Sequence, residues 1–104
     1  MTDAPAPEPV TVPKRRGRTV ISERVLRKIA AHDAQAVLGV IAAGRVRAHR
    51  RHQQVDLRLN LTVAYPLPAA ATAHQVGERV TSRMRRFTGY EVSTLDITVS
   101  YEYN

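Results

Sequence analysis

The side chains with the most chemical potential are arginines in two short runs. Arg45, Arg47, Arg50 and Arg51 form the first, and Arg79, Arg83, Arg85 and Arg86 the second. A guanidinium is always charged and offers a planar fork of donors that fits phosphate or carboxylate. Such runs point to anionic partners: nucleic acid, anionic lipid or an acidic protein. Other chemistry fails on residue type. Gly39-Val-Ile-Ala-Ala-Gly44 opens with the spacing of a phosphate-binding loop, but Arg45 and Val46 stand where that loop needs Lys and then Ser or Thr. His49 and His52 have Asp56 as the nearby acid and no Cys, so the three or four convergent ligands of a zinc site are missing, and neighbouring arginines repel a cation. His32 and His74 fall on helical stretches and read as surface residues. The acids are scattered instead of paired across a cleft. Ser22 is better explained as a helix cap than as a nucleophile. The reading is a protein with no catalytic, metal-binding or cofactor-binding residues.

The totals agree with a binding role. The chain has 104 residues, 43% of them hydrophobic, which suits one ordinary domain with one core. It has 16 Lys and Arg against 9 Asp and Glu, a formal charge of +7. Lys14 and Lys28 are the lysines, so an arginine-rich composition could account for part of that charge. Cys is absent, which fits a reducing compartment. No window approaches the roughly 20 apolar residues of a membrane span. The start, MTDAPAPEPVTVPK, lacks the basic and then apolar run of a secretory leader. A cytoplasmic protein is expected.

These side chains must be positioned by regular elements. Pro5, Pro7, Pro9 and Pro13 rule out helix or ladder over residues 1–16, which are expected to form a disordered tail ending in Lys14-Arg15-Arg16; residues 17–104 make the domain. Thr19, Val20 and Ile21 predict a short strand over 17–21. Ser22 then caps a helix over about 23–36, with Ile21 and Leu26 at the spacing of a hydrophobic staple. Its apolar stripe is Val25, Leu26, Ile29, Ala30 and Ala36 or Val37, and Gly39 is its stop. A strand over 40–48 leads into an arginine-bearing turn. Residues 55–65 alternate without a break: Val55, Leu57, Leu59, Leu61, Val63 and Tyr65 on one parity, polar residues on the other, a strand with one buried face. After Pro66-Leu67-Pro68 a helix runs over about 69–88, with Ala73, Val76, Val80, Met84 and Phe87 inward and Gly89 as a left-handed stop. The last strand covers about 91–103, with Leu95, Ile97, Val99, Tyr101 and Tyr103 inward and a bulge or a change of face near Ser93-Thr94. The expected fold is α+β: a two-layer sandwich in the order β-α-β-β-α-β, with both helices on one face of a four-stranded sheet and the other face polar and open.

The stretch Arg18-Thr-Val-Ile-Ser-Glu-Arg-Val-Leu-Arg-Lys-Ile-Ala-Ala31, followed by Ala36-Val-Leu-Gly-Val40, resembles the alkaline shock protein family, the Gls-like envelope stress response proteins of Gram-positive bacteria. The long alternating strand, the Thr88-Gly89 step and Leu95-Asp-Ile-Thr-Val99 fit the same pattern, so the resemblance covers residues 18–103. It implies a non-enzymatic cytoplasmic protein linked to envelope stress. It also implies that the protein self-assembles and is held at the inner face of the membrane by a membrane-anchored partner. It defines no catalytic or ligand residues.

Two roles follow for the arginines. Four of them at an anionic membrane are worth about 4 kcal/mol, a dissociation constant near millimolar, so lipid alone would barely hold the protein and a protein partner or self-association must add to it. The alternative is non-specific nucleic-acid binding through the two runs. Against that, aromatics for stacking are only 5% of the chain and no Gly-x-x-Gly loop is present.

Overall fold

A computed structural model describes residues 20–103. The elements run α1 (Glu23–Gln35), β1 (Val40–Arg51), β2 (Gln54–Ala64), α2 (Ala69–Thr88) and β3 (Glu91–Glu102). Ser22 starts α1, its hydroxyl accepting from the Val25 amide at 3.2 Å. Gly89, at φ +79°, ends α2 by donating its amide to the Arg85 carbonyl. Gly39 also has a positive φ, 96°, and a Cβ there would lie 2.5 Å from Leu67 Cδ1, so both its backbone and its lack of a side chain are used.

The sheet has three strands in the order β1-β2-β3, not the four expected. Of the anticipated first strand, residues 17–19 lie outside the described residues, and Val20 and Ile21 are not in a strand. Ile21 leads into α1 instead: it packs against the core, and its amide donates to the Tyr90 hydroxyl at 3.3 Å. A β-branched run this short gains more from anchoring a helix entry than from a ladder with few bonds. The proposed 1–16 tail is also outside the described residues.

β1 and β2 are antiparallel, and β2 and β3 parallel, with α2 as the crossover. The loop expected at 45–52 is a two-residue turn, His52-Gln53, with His52 at φ 55°. β1 therefore continues to Arg51, and the first arginine run lies along a strand. The bulge near Ser93 is present as a shift in register between Val55 and Asp56 against β3. β2 is the central strand, and Val55, Leu57, Leu59, Leu61 and Val63 are at most 2% exposed. Leu26, Ala30 and Ala34 of α1 and Val76, Val80 and Met84 of α2 complete the core above it. Both helices pack against this one face. Four residues expected inside are outside: Val25, Phe87, Tyr65 and Tyr103 are 44, 58, 54 and 67% exposed. Each lies at or near an end of its element, where the opposing layer has run out.

Candidate interaction surface

The second arginine run does not form one cluster. Successive helical residues point about 100° apart, so Arg79 and Arg83 share a face and Arg85 points elsewhere. Arg79 and Arg83 turn toward α1, where Asp33 is 1% exposed. Arg83 Nε donates to Asp33 Oδ2 at 3.3 Å and lies 3.2 Å from Oδ1; Arg79 Nε is 3.8 Å from Oδ1. The Arg83 guanidinium also covers the Phe87 ring, 4.5 Å from its centroid. Arg85 turns to β3 and pairs with Glu91 at 3.0 Å. Arg86 is exposed and in no ion pair among the described residues. Arg79 and Arg83 thus hold the helix layer together. Asp33 carried a signal in the sequence: Leu26, Ala30, Asp33 and Val37 follow helical spacing, which puts an acid on the apolar stripe, and such an acid needs a buried partner.

The first run is spread along β1, an edge strand. Arg47 and Arg51 are on the open face with His49, opposite Arg58, Gln54 and Asp56 respectively. Arg51 binds both carboxylate oxygens of Asp56, at 3.1 and 3.4 Å. Ser93 donates to the same carboxylate at 2.7 Å, and this bond is the main reason its pKa lies below the ordinary carboxylate range; Arg51 lowers it further and partial desolvation opposes both. Arg50 is half-buried on the other face. Its backbone amide donates to Glu23 Oε2 at 2.9 Å, and its Nε is buried without a hydrogen-bond partner. Arg45 lies in a bulge between Ala43 and Val46. Arg24, Arg27 and Lys28 of α1 line a groove with Gly44 and Val46, which extends the basic edge of β1 onto the helix layer. These three lie off the apolar stripe of α1, and what joins them to β1 is tertiary packing. Arg45 and Arg47, like these three, have no carboxylate within ion-pair distance among the described residues.

A third feature was missed. At the end of the sheet where β1 begins and β2 and β3 finish, Leu38, Ile41, Tyr65, Leu67 and Tyr103 are exposed, Leu38 to 89%. They share this end of the sheet. The Ala64 amide donates to the Gly39 carbonyl, Leu67 abuts Gly39, and the Tyr65 and Tyr103 rings lie 4.6 Å apart. Tyr101 braces this end from inside, its hydroxyl donating to the Leu67 carbonyl and accepting from the Ala69 amide. In the sequence these residues sit in three separate segments, and only the fold gathers them.

Among the described residues no three His, Asp or Glu side chains gather to hold a metal ion. No described helix is long and apolar enough to cross a membrane. The grooves are open, the largest about 750 Å³ between α2 and β3.

No protein-family model matches the chain, and no curated protein does. Solved structures do match. One structure of the MamM CTD superposes with a TM-score of 0.67 at 14% identity, covering 78% of this chain and 100% of that one. A copper form of the MamM CTD gives 0.67 at 14% identity over 78% and 99% of the two chains, and a nickel form 0.65 at 15% over 76% and 98%. At such identities the likeness is one of fold, and it extends over nearly the whole of the matched domain. It supports the three-stranded α-β-β-α-β arrangement over the four-stranded expectation.

Proposed function

We propose that this chain is a non-catalytic interaction module that associates with itself and docks onto a membrane-anchored protein. The observation that carries the reading is the apolar end of the sheet. Leu38, Ile41, Tyr65, Leu67 and Tyr103 are five of the eight large hydrophobic residues that are well exposed among those described. Scattered exposed apolar residues are ordinary; a group braced into one surface marks a contact site. Two tyrosines and three aliphatic residues make the mixture that protein interfaces favour at their centres. The fold shared with the MamM CTD is compatible with a domain that works by contact. The envelope-stress setting and the membrane-anchored partner rest on the sequence resemblance to alkaline shock proteins.

The test uses the full chain, tagged, against detergent-solubilised membranes from its own cell, with sedimentation of the purified protein alongside. The expected outcome is a mass above the monomer and one membrane protein retained by wild type but lost by the Leu38→Asp, Tyr103→Asp double variant, whose circular dichroism is unchanged. A monomer at high concentration that retains no membrane protein would remove the basis of the reading.

The groove formed by Arg24, Arg27, Lys28 and β1 favours a second reading, a non-specific nucleic-acid contact. Phosphate neutralisation by free arginines needs no base-stacking residues for modest affinity. Its mark would be binding to duplex DNA that weakens steeply with salt.

A further inference from the structure

The two outer strands of the sheet carry opposite charge. β1, VIAAGRVRAHRR, holds four arginines and no acid; β3, EVSTLDITVSYE, holds three acids and no Lys or Arg. Of these acids, Glu91 pairs with Arg85 and Asp96, at 3.6 Å, with Arg58 of the same chain, while Glu102 is in no ion pair among the described residues. Among the described residues both strands also leave backbone groups unpaired on their outer sides. The Arg50 amide marks the outer side of β1, where it is itself taken by Glu23. Backbone orientation alternates along an antiparallel ladder, so Ala48 and Val46 turn outward as well. On β3, the Glu102 carbonyl faces inward and accepts from the Tyr65 amide. The register is unbroken from Thr94 to Glu102, so Leu95, Ile97, Val99 and Tyr101 turn their amides and carbonyls outward. Their side chains are only half-buried, as are Val46 and Ala48 on β1, whereas the matching residues of β2 are closed off by a strand on each side. Beyond the bulge at Ser93, β3 has no proline, no lysine and no further irregularity to discourage pairing.

We infer that copies of this chain join edge to edge, β1 of one against β3 of the next, to continue one sheet through the assembly. The inference rests on the self-association proposed above and names its surface and its occupant, a second copy. Charge selects the pairing: β1 against β1 sets arginines against arginines, and β3 against β3 sets acids against acids, while β1 against β3 is attractive. Adding the next copy in the same orientation places β3 antiparallel to the incoming β1, because β1 already runs antiparallel to β2 and β3 parallel to it. A head-to-tail contact of this kind leaves a free edge at each end and builds rings or open arrays instead of closing as a dimer. The α2–β3 groove, lined by Ala70, Ala73, Gly77 and Thr81, gives α1 of the incoming copy room beside the helix layer.

Two full-length charge variants test this by sedimentation and light scattering across concentration and salt. One is Arg45→Glu with Arg47→Glu; the other is Asp96→Lys with Glu102→Lys. Each should associate at least about tenfold more weakly than wild type, since the first leaves β1 with two arginines against two glutamates and the second leaves β3 with two lysines against one acid, so neither keeps the attraction of the original edges. An equimolar mixture of the two should regain association, because each supplies the edge its counterpart lacks. If wild type associates and both variants associate equally well, the edge pairing is wrong while self-association stands. Loss in both variants with no recovery on mixing overturns it too, as does loss of DNA or anionic-vesicle binding alone in the β1 variant. A wild type that stays monomeric overturns both the edge pairing and the self-association on which it rests. Should a charge-reversed variant misfold by circular dichroism, Arg45→Ser with Arg47→Ser and Asp96→Asn with Glu102→Gln give the same comparison with smaller losses.

Discussion

Asp33 and its two arginines form a lopsided ion pair, since the carboxylate is 2% exposed while Arg83 and Arg79 are 35 and 43% exposed. Removing the acid leaves arginines that can turn to water; removing Arg83 leaves a buried carboxylate with Arg79 at 3.8 Å. The second loss is the larger, because the cost of an unpaired charge scales with how completely it is withdrawn from solvent. Arg83→Met should cost about 3 kcal/mol and Asp33→Asn about 1–2 kcal/mol in urea unfolding. Equal costs would show that the carboxylate reaches water in solution. Asp56 offers a different measurement. Its pKa is lowered on folding, so its stabilising contribution is complete above the ordinary carboxylate range and is lost as pH falls through the lowered folded value. Ser93→Ala removes the largest cause, and the Asp56 carboxyl should then titrate at higher pH in a carbon-detected NMR titration. An unmoved titration would assign the shift to Arg51 and Thr94.

The elements were legible in the sequence where one physical signal ruled. The period-two row from Val55 to Val63 had no competing reading, and it is the buried central strand. α2 runs from Ala69 to Thr88, the range its apolar stripe and Gly89 predicted, because a stop glycine with nothing within 4 Å of an added Cβ acts by backbone conformation alone. Legibility failed where the outcome depended on a partner distant in sequence. Thr19-Val20-Ile21 has strand propensity, yet Ile21 is claimed by Tyr90, sixty-nine residues away. Arg50 and Arg51 read as a loop because charge suggests solvent; Glu23, which holds Arg50, lies on α1, and Asp56, which holds Arg51, is brought opposite only once the tight turn at His52-Gln53 has formed. The register is testable at Leu59, which is 0% exposed and paired with Val46 on one side and Ile97 on the other. Leu59→Ala should destabilise the protein by about 2–5 kcal/mol in chemical denaturation. A negligible change would shift the strand by one residue and turn its apolar row to solvent.

For the molecule as a whole, a net charge of +7 says less than where the charge is free. Arg51, Arg79, Arg83 and Arg85 are committed to carboxylates inside the fold, and Arg50 to the α1–β1 contact. Among the described residues, what remains for an anionic partner is, apart from Arg86 on α2, concentrated on one side, along α1 and β1: Arg24, Arg27, Lys28, Arg45 and Arg47. The two arginine runs of the sequence should therefore separate by experiment. For duplex DNA, each phosphate neutralised contributes about 0.9 to the slope of log affinity against log salt. Replacing Arg45 and Arg47 with Ser should lower that slope by about 2 and leave urea unfolding nearly unchanged. Arg83→Met should do the reverse, reducing stability while the slope stays as it was. Fluorescence anisotropy on a labelled duplex over a range of potassium chloride measures the first quantity, and denaturation the second. If the sheet edges join as inferred, the wild-type slope should also fall as protein concentration rises, because every β1 taken by a neighbouring β3 withdraws two of these arginines from the DNA. A slope that is unaffected by concentration, in a protein shown to associate, would place the copies' contact away from β1.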